Sequence, residues 1–229
     1  MIVRTPHCRR CPMGYALGKG ISGCISDGRP IFLNLDEDRY FCLGQDLEAS
    51  FINLSQDGTP PPSNAIDQLL ALGILEHSDT SDVPVLCAPP VLVGSKLPCN
   101  HARAGSVMSA LVGLARMGLQ LRSKGLSGSV AYLRGLRREA RDFAPAVIDP
   151  AARIASAYAR ASRVFGKHDR CLLWSFALGA ALLRQRIPAT IVIAVSAWPF
   201  VAHAWVQLDR LVVNDDPARI RTFTPILVI

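Results

Sequence analysis

The sequence lacks an apolar opening. Met1-Ile2-Val3-Arg4 runs into the polar Cys8-Arg9-Arg10-Cys11 with no h-region between them, so a cytoplasmic protein without a secretory signal is expected. Also missing is a second close ligand pair, which His7-Cys8-x-x-Cys11 would need to complete a structural zinc site, because such sites normally take four ligands. Cys24, Cys42, Cys87 and Cys99 are scattered, so neither a metal nor any other cofactor is expected. The cysteines number seven; an odd count without a signal points to free thiols in a reducing compartment, not to a disulfide framework. Formal charge is absent from Ile187 to Leu208, a stretch nearly long enough to cross a bilayer. Pro188, Pro199, His203 and Gln207 interrupt it and its β-branched residues cluster as they do in strands, so no membrane span is expected.

What is present supports a folded chain. Half of the 229 residues are hydrophobic, enough to bury one large domain or two small ones. The formal charge of +7 suits an acidic peptide, a nucleic acid or an anionic membrane surface, and charge alone does not choose among them.

Reactive side chains concentrate towards the end of the chain, where a thiol, an imidazole and a carboxylate follow in order as Cys171, His203 and Asp215. A cysteine attacks a carbonyl as thiolate, so its pKa must be lowered by a neighbouring imidazolium or by a helix N-terminus. Leu172 to Leu183 is rich in Leu and Ala and reads as a buried helix. Asp169, in the polar run before it, is the expected N-cap, which sets Cys171 in the first turn. Pro188 ends the helix near Gln185. Ala189 to Val195 reads as a buried strand, Ser196 to Phe200 as a turn around Pro199, and Ala202 to Leu208 as a strand carrying His203. After a tight connection at Asp209-Arg210, Leu211 to Asn214 reads as a third strand that ends at Asp215. The pattern assigns Cys171 as nucleophile, His203 as general base and then acid, and Asp215 as the group that orients the imidazole. Each residue alone also has a plainer reading: a small core thiol, a satisfied core histidine, a strand-ending aspartate.

With Ser175, Ala177 and Leu178 on the helix, Pro199-Phe200 and His203-Ala204-Trp205-Val206 on the strand, and Val213-Asn214-Asp215 with Pro217 beyond it, this stretch resembles the transglutaminase-like (papain-like) cysteine protease core. More narrowly it resembles the B proteins of lasso peptide biosynthesis, maturation proteases that cut the leader from a ribosomal precursor peptide. The likeness covers the last third of the chain well and the first third more loosely. It implies a cysteine endopeptidase with Cys171, His203 and Asp215 as its triad, Asp209 and Asp216 being weaker choices for the third member. It also implies a precursor leader as substrate and, as partner, an ATP-dependent, asparagine-synthetase-like cyclase that closes the macrolactam on the freed amine. Leader binding without proteolysis, and acyl transfer of the transglutaminase or arylamine acetyltransferase type, stand as alternatives.

The first third reads as a three-strand meander: Ile21 to Ser26, Pro30 to Leu35 and Arg39 to Leu43, turned at Asp27-Gly28 and at Asp36-Glu37-Asp38. Gln45 to Leu54 and Ser63 to Leu72 follow as helices, the second capped by Ser63. This pattern, with the run Asp38-Arg39-Tyr40-Phe41, resembles the winged-helix-like precursor-recognition domain that accompanies lasso proteases. The resemblance implies that the leader adds as an extra strand beside Arg39, Tyr40, Phe41, Cys42 and Leu43. A DNA-binding winged helix needs a basic recognition helix; Ser63 to Leu72 holds no Lys or Arg, so nucleic acid is not the expected partner. Asp79 to Asn100 has the Pro- and Ser-rich composition of a linker. Arg103 to Lys124, Ser127 to Arg141 and Pro150 to Phe165 read as helices packed on the protease core. Arg134, Arg137, Arg138 and Arg141 share a basic face that is either solvated or a landing surface for an acidic segment. The expected architecture is α+β: residues 1–80 a winged-helix-like, three-strand/three-helix leader-recognition domain, 81–101 a linker, and 102–229 a transglutaminase-like cysteine protease domain.

Overall fold

The computed structural model describes residues 14–58, 62–79, 83–90, 95–97, 104–140, 142, 144–165 and 170–229. Cys8, Cys11, Cys99, Arg141 and Asp169 lie outside them. The architecture is mixed α+β, as expected, and the described residues form three sheets.

The meander is present. β2 (Ile21–Ser26), β3 (Arg29–Asn34) and β4 (Arg39–Cys42) run antiparallel in that order. Asp27 and Gly28 both take positive φ, 50° and 79°, as a two-residue hairpin turn matched to strand twist requires. A second pair, β1 (Gly14–Leu17) with β5 (Leu75–Ser78), brackets the unit and is not anticipated by the sequence patterns. Between them lie α1 (Gln45–Asp57) and α2 (Ser63–Ala71). Two helices, not three, therefore occupy this unit among the described residues; at Gly73 (φ 67°) the chain turns out of α2 and Leu75 goes into β5 opposite Leu17. Ser63 is the first helical residue and not the cap: Pro62 holds that position, and no side chain bonds the helix start.

β3 is buried on both faces. Phe32 packs with Phe51, Leu54 and Leu69 from α1 and α2, while Ile31 and Leu33, one step away on the pleat, join the large core of the second half of the chain. That alternation makes the small sheet part of the wall of the larger one.

The second half begins with β6 (Ser95–Lys96) and α3 (Ala104–Arg138), which kinks at Gly125. Gly125 has φ 65° and ψ −170°, a non-helical conformation open to glycine, so the two helices read from the sequence are separated there, as expected, and α3 has two limbs. A 3-10 turn at Pro145–Val147 leads into α4 (Ile148–Phe165), which starts two residues before Pro150; proline is tolerated there because first-turn N–H groups have no partner within the helix. Then come α5 (Cys171–Arg184), β7 (Ala189–Ser196), β8 (Val201–Leu208), β9 (Leu211–Val212), α6 (Pro217–Ile220) and β10 (Thr224–Val228). The sheet order is β10-β7-β8-β9-β6, with β6 parallel to β9 and the other neighbours antiparallel. The charge-free stretch is thus the β7–β8 hairpin, and no helix among the described residues is long and apolar enough to cross a membrane. The two sheets meet at β10 and β2, where Ser22 Oγ donates to the Ile226 carbonyl and Thr224 Oγ1 to Ser26 Oγ.

Candidate functional site

α5 is apolar on every side and almost wholly buried, with Trp174, Phe176, Leu178, Leu182 and Leu183 inside. It lies close on β7 because residue 179 is glycine: a Cβ there would come within 2.4 Å of the Ile191 Cδ1. Cys171 is its first residue, where the helix dipole favours an anion. Arg170 occupies the cap position with no side-chain cap bond. One turn on, Ser175 ties the helix to the sheet. Its hydroxyl donates to the Ala204 carbonyl (2.8 Å) and accepts from Asn214 Nδ2 (3.0 Å). The Asn214 Oδ1 in turn accepts the Val206 N–H (2.8 Å). That side-chain bond also explains why β9 stops at Val212: beyond Val213, Asn214 satisfies β8 through its amide and the chain bends toward Asp215.

His203 lies on β8 and is only 5% exposed. Its Nε2 hydrogen bonds Asp215 Oδ2, and Asp215 Oδ1 accepts the Asp216 N–H (2.8 Å). The rings of Phe223 (centroids 5.1 Å apart) and Trp205 (6.3 Å) flank the imidazole. With Nε2 committed to the carboxylate, Nδ1 is the nitrogen left for the Cys171 thiol, which hydrogen bonds the same ring. The three residues read from the sequence are therefore together in space. Asp216 instead caps α6 through the Ala218 N–H (2.8 Å), and Asp209 sits in the β8–β9 turn at φ 49°.

The charges follow. Burial alone would raise the Cys171 thiol, but the hydrogen bond and charge of His203, with backbone hydrogen bonds at Ala204 and Leu172, bring it below its ordinary value. Burial alone would lower His203; the bonds to Asp215 and to Cys171, and the charges behind them, push it up to about 9. The arrangement favours the thiolate of Cys171 and the imidazolium of His203, the charge pair that acyl chemistry by a cysteine uses. Among the described residues no group of His, Cys, Asp and Glu side chains is placed to hold a metal ion.

β4 is an edge strand of its sheet. Arg39 is exposed and pairs with Glu37 (2.8 Å), Phe41 stacks on Phe32 (5.2 Å), Cys42 is exposed, and Leu43 is buried against α1 and α2. Tyr40 lies opposite Leu33 and faces the large core. Burial, then the charges of Asp38, Cys171 and Cys24, push its hydroxyl up to about 12, so a residue of the first sheet stands in the electrostatic neighbourhood of the thiol. The sequence signal for this was the pairing register: Tyr40 inherits the face of Leu33, not that of Phe32. Ser175 and Asn214 carry no role in the sequence reading, although their spacing from Cys171 and Asp215 placed them on the same elements.

Residues 113–228 match the transglutaminase-like superfamily. A 47-residue stretch is 43% identical to the microcin J25-processing protein McjB of Escherichia coli, covering 20% of this chain and 23% of that protein. No solved structure matches. The two matches agree with the likeness to lasso peptide B proteins seen in the sequence.

Proposed function

This chain belongs to the transglutaminase-like superfamily, and from that premise we propose that it is a cysteine endopeptidase that removes the leader from a lasso precursor peptide. The observation that carries the reading is the meeting of Cys171, at the start of a buried helix, with the His203–Asp215 pair. The likeness to a protein named for processing microcin J25 supports a peptide precursor as substrate. The Cys171 thiolate attacks the carbonyl of the cut bond, and backbone N–H groups at the start of α5 stabilise the oxyanion. His203 gives its proton to the leaving amine, which becomes the free N-terminus of the core peptide. His203 then takes a proton from the water that hydrolyses the thioester, and Asp215 keeps the ring oriented throughout. Upstream, the leader backbone pairs with the free edge of β4 at Arg39 to Leu43, in a winged-helix-like recognition domain of residues 1–80 joined through 81–101 to a protease domain of 102–229. The freed amine passes to an ATP-dependent cyclase in the cytoplasm.

Mass spectrometry tests this. The precursor encoded beside the protein's own gene is incubated with the protein, with and without its cyclase. One cut with a gain of water, absent with Cys171→Ala, is the expected result. An acyl group on an added amine would instead make the protein a transferase, and leader binding with no cut would leave a recognition module.

A further inference from the structure

The face of β3 and β4 and the turn between β7 and β8 enclose an apolar groove of about 360 Å³. Ile31, Tyr40 and Phe41 form one wall, Ala197, Trp198 and Phe200 the other. Trp198 is 72% and Phe200 50% exposed, a large apolar surface to leave in water. The rings are nonetheless held in place. Phe200 meets Tyr40 edge to face at 5.5 Å, and the Arg29 guanidinium lies 5.9 Å over Trp198 while pairing with Glu48 (3.2 Å). The groove is continuous with both parts of the proposed site. Its first wall is the strand proposed to pair with the leader. Its second wall runs directly into β8, with Phe200 three residues before His203. At about 3.3 Å per residue that is about 10 Å, the reach of roughly three residues of extended peptide.

We propose that this groove is the specificity subsite of the cleavage reaction, holding one apolar or aromatic side chain from the last few leader residues before the cut bond. The inference rests on the protease reading above. β4 fixes the leader backbone, the groove fixes one side chain, and between them they set which carbonyl arrives at Cys171. Phe200 and Trp198 are thus specificity residues, and neither takes part in the bond-breaking step.

The test is kinetic. The full-length protein, its Phe200→Ala and its Trp198→Ala variants are assayed on the precursor encoded beside its gene and on precursors with each of the four residues before the cut replaced by Ala. With the unaltered protein, one apolar-to-Ala replacement is expected to lower kcat/KM about tenfold or more, chiefly through KM. With Phe200→Ala the same replacement is expected to change it by less than about threefold, because the two share one contact. Losses that simply multiply in every combination overturn the subsite and leave the protease reading standing. No cut by the unaltered protein overturns both. A second measurement does not depend on turnover. Trp174 and Trp205 are only 5% and 3% exposed, so in a Cys171→Ala background added precursor should blue-shift the emission of Trp198, and Trp198→Ala should remove that shift. Bound peptide with unchanged emission overturns the subsite.

Discussion

Cys24 and Cys171 are both removed from most solvent, and burial is the largest influence on each thiol. They end on opposite sides of the ordinary value. Cys24, on β2, is pushed up to about 12, with neighbouring Cys87 and Cys42 adding to the rise; Cys87 itself goes up to about 11. Cys171 goes down. The first sheet surrounds its cysteine with apolar side chains and other thiols. The second half of the chain surrounds Cys171 with an imidazolium, a carboxylate behind it, and a helix start. Burial therefore does not make a thiol inert or reactive; the partners available to its charged form do.

The largest expected effects come from removing the two thiols in turn. Cys171→Ala is expected to cost roughly 10⁶-fold in kcat, as loss of a triad nucleophile does, while Cys24→Ala leaves precursor cleavage within about twofold. The assay is the rate of leader release, and activity surviving in the first variant but lost in the second would move the nucleophile to the wrong sheet. Asp215→Asn comes next, with a loss on the order of 10⁴-fold by the tautomer argument. It also makes Cys171 more like Cys24: iodoacetamide should modify it more slowly at neutral pH than in the unaltered protein, as read by peptide mass mapping.

A smaller effect follows from pH. His203 keeps its proton to about pH 9, against an ordinary 6.5. The folded state has the full benefit of the charged ring below 6.5 and loses it as pH rises through about 9. The lowered Cys171 thiol works the other way: its benefit is full above the ordinary 9.0 and is lost as pH falls through the folded value. Both charges coexist only between the two folded values, so kcat/KM should trace a bell with an alkaline limb near 9 and an acid limb below the ordinary thiol value. The limbs belong to the coupled pair. A single limb rising toward the ordinary 9.0 would describe an unassisted thiol, and one displaced further up a buried thiol such as Cys24.

Much of this site was legible because the signals were local. Pro188 and the β-branched run after it fix the end of α5 and the start of β7, and the Asp27-Gly28 pair fixes the β2–β3 hairpin. The parts not legible depend on partners distant in sequence. β6 is two residues long and exists because β9 is beside it, and β1 is a strand only because β5 pairs with it. Tyr40 packs against the same core as Cys171 because Leu33 beside it faces that core, which requires knowing that β3 is buried twice over. Gly73-Ile74-Leu75 closes the first unit through the β5–β1 pairing, which no local pattern announces.

The smallest expected effect separates holding the site from running it. The Ser175 hydroxyl bonds neither the Cys171 thiol nor the His203 ring; it joins α5 to the Ala204 carbonyl and to Asn214, the residue before Asp215. Ser175→Ala removes one buried and one part-buried hydrogen bond and should cost about 1–3 kcal/mol, or roughly 2–4 °C of Tm per kcal/mol in a chain of this size. Because Asn214 also anchors β8 through Val206, Asp215 should stay near its place and kcat should fall only a few-fold, with both limbs of the pH profile where they were. Thermal melting and the pH profile of the same preparation are the two readouts. If the alkaline limb moves toward the ordinary histidine value as well, Ser175 helps aim the carboxylate at the ring. The contrast between the two thiols would then extend one shell further out, from the groups that touch Cys171 to the bonds that fix those groups.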